Sequence, residues 1–131
     1  MSIRLFFILP LLLVVAGCGH SLSEIPGFDS AAWRQDAFAC QNQRARQLPA
    51  IDAYRETLYG TRTDDIESLF GRPDEEELSE QTEKTYFYYI EPGTQCEPRH
   101  LRSQANKLTF HFGPTGIVTA VLYERPVSVA Q

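Results

Sequence analysis

Lys107-Leu108-Thr109-Phe110-His111-Phe112-Gly113-Pro114-Thr115-Gly116-Ile117-Val118-Thr119-Ala120-Val121-Leu122-Tyr123 reads as two strands and the turn between them. Leu108, Phe110 and Phe112 alternate with Thr109 and His111, the period of a strand with one apolar face. Gly113-Pro114-Thr115-Gly116 is dense in turn formers. Ile117 to Tyr123 then pairs back as a hairpin, with Val118, Ala120 and Leu122 alternating against Thr119, Val121 and Tyr123. Arg125-Pro126 ends the fold, leaving 127–131 as a loose tail.

Working outward, Thr85 to Ile90 supplies a third strand. Tyr86, Tyr88 and Ile90 point one way and Phe87 and Tyr89 the other. Both faces are aromatic, so both are expected to be covered, one by helices and one by a loop or a partner. Glu91-Pro92-Gly93 ends this strand, and the loop to Ala105 carries Cys96, Arg99, His100 and Arg102.

Helical signals lie before the strands, so the fold class is α+β. Asp29 or Ser30 caps a helix predicted to run to Gln47, ahead of Pro49. Trp33, Ala37, Cys40 and Arg44 recur at helical spacing, and Trp33 is expected as an anchor. Arg34, Asp36, Arg44 and Arg46 are read as a solvated face. A second short helix starts at Pro49, buries Ile51, Tyr54 and Leu58, and stops at Gly60. Thr63 is expected to cap a third, with Asp64, Asp65 and Glu67 at its positive end and Ile66, Leu69 and Phe70 on its buried stripe. Gly71 and Pro73 end it. Asp74 to Glu83 reads as a solvated acidic connector; it lacks the alternating ligands and central glycine of an EF-hand loop.

The amino terminus has a different character. Arg4 precedes an apolar run from Leu5 to Val15, followed by Ala16-Gly17-Cys18. The order is that of a secretory signal peptide, and the run is too short to span a bilayer. Val15-Ala16-Gly17-Cys18 resembles the lipobox of bacterial lipoproteins. The resemblance implies cleavage after residue 17 and lipid on Cys18. More than one acyl chain makes such an anchor stable. In enterobacterial lipoproteins an aspartate after the cysteine favours the inner membrane. Gly19 stands there instead, which leans towards the outer membrane. Residues 18–28 then read as a flexible polar tether.

Residues 18–131 suffice for one domain and not two. Losing residues 1–17 removes Arg4 and no acid, so the mature chain is one charge more negative than the −5 of the whole. That balance argues against a nucleic-acid partner. With Cys18 lipidated, Cys40 and Cys96 remain as a pair. In an oxidising compartment they are most simply a disulfide, the alternative being two buried thiols. No metal or other cofactor is expected. Two lone cysteines do not make a zinc site, and His20, His100 and His111 belong to no spaced set. There is no Gly-x-Ser-x-Gly and no phosphate loop, so no catalytic residue is assigned.

Leu58-Tyr59-Gly60-Thr61-Arg62-Thr63-Asp64-Asp65-Ile66-Glu67-Ser68-Leu69-Phe70-Gly71-Arg72-Pro73, then Tyr86-Phe87-Tyr88-Tyr89 and Phe112-Gly113, resembles the BamE-like (SmpA/OmlA) lipoproteins. The resemblance covers residues 58–123. It implies two to three short helices packed on one face of a three-stranded antiparallel sheet, in an α+β domain spanning 29–126. It also implies a lipid-anchored envelope protein that faces the periplasm and acts by protein contact. The segment that family carries before its first helix is absent here, so no partner-binding residue transfers.

The expected activity is therefore non-enzymatic binding of another envelope protein, in outer-membrane assembly or maintenance. The expected contact surface is Phe87 and Tyr89, with Tyr123, unless the Cys96 loop covers them. The alternative is a periplasmic enzyme inhibitor of β-lactamase-inhibitor-like architecture, which would use an open aromatic sheet face.

Overall fold

The computed structural model describes residues 21–124. The leader at 1–17, Cys18 with its expected lipid, His20 and the tail at 127–131 lie outside the described residues.

The fold is α+β. Strands β1 (Glu75–Leu78), β2 (Lys84–Tyr89), β3 (Lys107–Phe112) and β4 (Val118–Glu124) form an antiparallel meander in the order β1-β2-β3-β4. The expected three strands are thus four. The segment read as a solvated connector supplies the extra one, with Glu75 opposite Phe87 and Leu78 opposite Lys84. Three consecutive glutamates carry no apolar alternation, which is why no strand was expected there. An exposed edge tolerates charge on both faces.

Tyr86 lies opposite Phe110, and Tyr88 opposite Leu108. These four, with Ile90, Phe112, Val118 and Val121, make the inner face of the sheet. The β3–β4 register shifts between His111 and Phe112. The extra residue lets Val118 and Val121 share the inner face, which strict alternation forbids, while Leu122 points outward and stays 45% exposed.

Short helices cover that face: α1 (Ser30–Gln35), α2 (Leu48–Ala53), α3 (Arg55–Leu58) and α4 (Thr63–Phe70). Trp33, Ile51, Leu58, Ile66, Leu69 and Phe70 fill the layer between helices and sheet. Trp33 and Phe70 meet edge to face at 5.5 Å, and Phe70 packs on Phe110 at 5.1 Å. Among the described residues no helix is long and apolar enough to cross a membrane.

The first helix is far shorter than expected. Asp29 does cap it, accepting from the Ala32 amide at 3.0 Å. It stops at Gln35 because Asp36 is buried and turns its carboxylate back on the chain. That carboxylate accepts from the amides of Gln41, Gln43 and Arg44 at 2.7, 2.8 and 3.1 Å. These bonds close a tight loop in which Phe38, Ala39 and Asn42 take positive φ. The expected second helix divides at Tyr54 into α2 and α3. Thr63 does not cap α4. Its hydroxyl and amide both reach the Gly116 carbonyl at 3.0 Å, tying the helix start to the hairpin turn.

Residues 21–28 were expected to be unpacked tether. Instead Leu22 and Ile25 are buried in the main core, and Phe28 packs on Trp33 and Phe70. Serine, proline and glycine set the polar look of the segment, and they hide two aliphatic side chains three residues apart. The ordered domain therefore starts ahead of the expected boundary at residue 29.

Candidate functional site at the helix-to-strand corner

The corner between α4 and β1 is built on Gly71, whose φ is +79°. A Cβ there would lie 2.7 Å from Arg34 Cγ, so glycine lets the α1 side chain lie against the corner. Pro73 then directs the chain into β1.

Asp74 and Arg44, read as connector and solvated face, are buried together instead. Their side chains are 5% and 2% exposed and meet at 2.5 Å. Arg44 also donates to the Trp33 and Tyr89 carbonyls, each at 3.1 Å, and its guanidinium lies 4.9 Å from the Trp33 ring centre. Asp74 accepts from the amides of Phe38 and Tyr89 at 3.2 and 2.9 Å. The pair thus welds four chain segments: α1, the 36–44 loop, the start of β1 and the end of β2. The sequence carried no local signal for it, because the helical spacing of Trp33 and Arg44 is broken where α1 ends at Gln35.

Above this pair opens a cleft of about 530 Å³. Phe38 and Phe70 supply apolar wall, Arg34 and Arg72 stand at the rim, and Glu75 and Glu76 lead from it along β1. Arg34 spends one bond on the Ser68 carbonyl at 3.2 Å. Aromatic wall, exposed guanidinium groups and flanking carboxylates equip the cleft for binding. No family model, curated protein or solved structure matches the chain.

The expected contact residues lie elsewhere. Phe87 is 6% exposed and Tyr89 is fully buried. The 91–106 loop covers them: the Tyr89 hydroxyl accepts from the Ser103 amide at 2.9 Å, and Arg102 and Lys107 stand over the Phe87 ring. Neither side chain is available to a partner, so that surface is withdrawn. Tyr123 is half-buried, packs on the core and bonds Asp52 through its hydroxyl.

Cys40 and Cys96 form a disulfide, S–S 2.09 Å, which clips the covering loop to the turn after α1. Beside it His100 stacks on Phe38 at 4.3 Å. His111 bonds Thr85 across the sheet at 3.0 Å. Among the described residues no three His, Cys, Asp or Glu side chains are grouped to hold a metal ion. Burial, then the bond to Glu75, pushes the Tyr89 hydroxyl up to about 12. Burial also raises Tyr86, Tyr88 and Tyr123.

Proposed function

We propose that the chain is a lipid-anchored protein of the bacterial envelope, facing the periplasm from the outer membrane. In this reading it acts as a non-enzymatic binding module for another envelope protein, in the manner of the BamE-like lipoproteins. The observation that carries the proposal is the Cys40–Cys96 disulfide. Such bonds persist in oxidising compartments, and this one leaves Cys18 unspent behind an apolar leader, where lipid attachment would use it. Leu22 is buried four residues later. Four residues reach at most about 14 Å, so the anchor would hold the domain against the bilayer surface rather than at a distance. The fourth strand lies outside the pattern the resemblance implies. The inhibitor alternative loses its support, because both aromatic faces of β2 are covered.

The test is fractionation. Cys18→Ser should move the protein from the membrane pellet to the soluble fraction with the disulfide intact. Persistence of the variant in the pellet would refute the anchoring.

A further inference from the structure

The cleft above the Arg44–Asp74 pair is lined by three guanidinium groups, of Arg34, Arg44 and Arg72, and three carboxylates, of Asp74, Glu75 and Glu76. Each carboxylate already has a cation. Asp74 meets Arg44 at 2.5 Å, Glu75 meets Arg102 at 2.9 Å and Glu76 meets Lys84 at 3.9 Å. Arg34 and Arg72 are exposed, and among the described residues neither lies within 4.0 Å of an acid. The lining therefore holds cations without acidic partners and no carboxylate without a basic one.

One nearly buried donor belongs to the same lining. Arg44 spends Nε on the Trp33 carbonyl, and Nη1 on Asp74 and the Tyr89 carbonyl. Its side chain is 2% exposed, and among the described residues nothing bonds its Nη2. A donor withdrawn this far from solvent costs free energy until an acceptor reaches it. Arg34 is held in place. Its Cγ and Cδ lie 2.7 and 3.0 Å from where a Cβ on residue 71 would stand, and its Nη1 donates to the Ser68 carbonyl at 3.2 Å. A side chain fixed in this way loses little further freedom when a ligand takes its remaining donors. Ala37, Phe38 and Pro73 add apolar surface to the cleft.

We infer that this cleft is a binding site for a small carboxylate, carrying one negative charge and an apolar group. The planar guanidinium groups of Arg34 and Arg72 match a carboxylate in geometry as well as charge. Arg44 Nη2 offers a further donor, and Phe38 offers a ring for the apolar group. A volume of about 530 Å³ falls within the range of small-molecule sites, about 300–1,000 Å³. The charges also set the valence of the ligand. Three cations and three carboxylates leave the lining neutral, so one added negative charge is accommodated, and a second would add repulsion from Asp74, Glu75 and Glu76. A cationic ligand would face Arg34 and Arg72 with no free carboxylate to receive it. The inference goes beyond the reading of the chain as an anchored protein-binding module and depends on neither the anchor nor the protein partner.

The probe is N-acetylphenylalanine, titrated at fixed ionic strength into the full mature protein in nonionic micelles. Trp33 is the single tryptophan, and its ring centre lies 4.9 Å from the Arg44 guanidinium carbon, so its fluorescence reports on the cleft. N-acetylphenylalaninamide keeps the shape of the probe and removes its charge. The acid should bind with a Kd of about 1 mM or tighter. The amide should bind at least about tenfold more weakly, as expected for losing hydrogen bonds to a charged group. Arg34→Gln and Arg72→Gln should each weaken the acid about tenfold and leave the amide unmoved. Arg62→Gln, an exposed arginine that does not line the cleft, should change neither. Should Arg34→Gln misfold, Arg72→Gln still decides, since its side chain is exposed and pairs with no acid. Equal binding of acid and amide would overturn the inference. So would equal weakening by Arg62→Gln, which would reduce the effect to long-range attraction. Displacement of the acid by inorganic phosphate at equal concentration would mean an adventitious ion only, and would overturn it as well.

Discussion

Arg44 and Asp74 carry more of the architecture than any apolar pair, because each satisfies backbone groups as well as the other. Removing one partner from a buried pair costs about 3–5 kcal/mol, since the survivor stays desolvated and unpaired. Asp74→Ala should lose that much in urea unfolding, and it strands the Phe38 and Tyr89 amides too. Arg44→Lys should recover little, because one ammonium cannot reach Asp74, Trp33 and Tyr89 in the directions a planar guanidinium does. A loss below about 1 kcal/mol for Asp74→Ala, the range of exposed pairs, would show that the pair is solvated in solution.

At the scale of elements, the disulfide and the 91–106 loop act together as a cover over Phe87 and Tyr89. Closing a loop of separation 56 contributes about 4 kcal/mol through the unfolded chain. Cys40→Ala with Cys96→Ala should therefore lower global stability by about that amount. It should also speed hydrogen exchange at Ser103 and Ala105, whose amides bond Tyr89 and Ser103 in the loop, before exchange rises in β3 and β4. Unchanged exchange at Ser103 would mean the loop holds without its clip. Which elements were legible in advance follows from this division. The hairpin, the inner face of β2 and the stripe of α4 announce themselves, because apolar side chains at period 2 or 3.6 have one place to go. β1 and the 36–44 loop do not: β1 is specified by its pairing with β2, and the loop by one buried carboxylate. Local pattern records neither. The candidate site lies where those two meet, so its glycine and proline were visible while the ion pair beneath it was read as surface.

For the whole molecule, tyrosine sets the alkaline limit. Tyr86, Tyr88, Tyr89 and Tyr123 join the sheet to the helices or the covering loop, and each hydroxyl has a protein partner: Glu67, the Gly71 carbonyl, Glu75 and Asp52 respectively. Burial is the first cause of every one of these raised values. A folded-state value above the unfolded one, near 10, means that the native state holds its proton more tightly. The stability this provides is complete below about pH 10 and drains away as pH climbs through the folded value, about 12 for Tyr89. Urea midpoints should therefore be insensitive to these groups up to about pH 10 and fall steadily above it, in the window set by those tyrosines. Phenolate absorbance from the four bonded tyrosines should rise only as the sheet signal disappears. Tyr89→Phe removes the ionisable group and keeps the ring, so it should narrow that alkaline loss while costing the hydroxyl's bond to Ser103. If those four ionise with the fold intact, their hydroxyls are not holding the layers together.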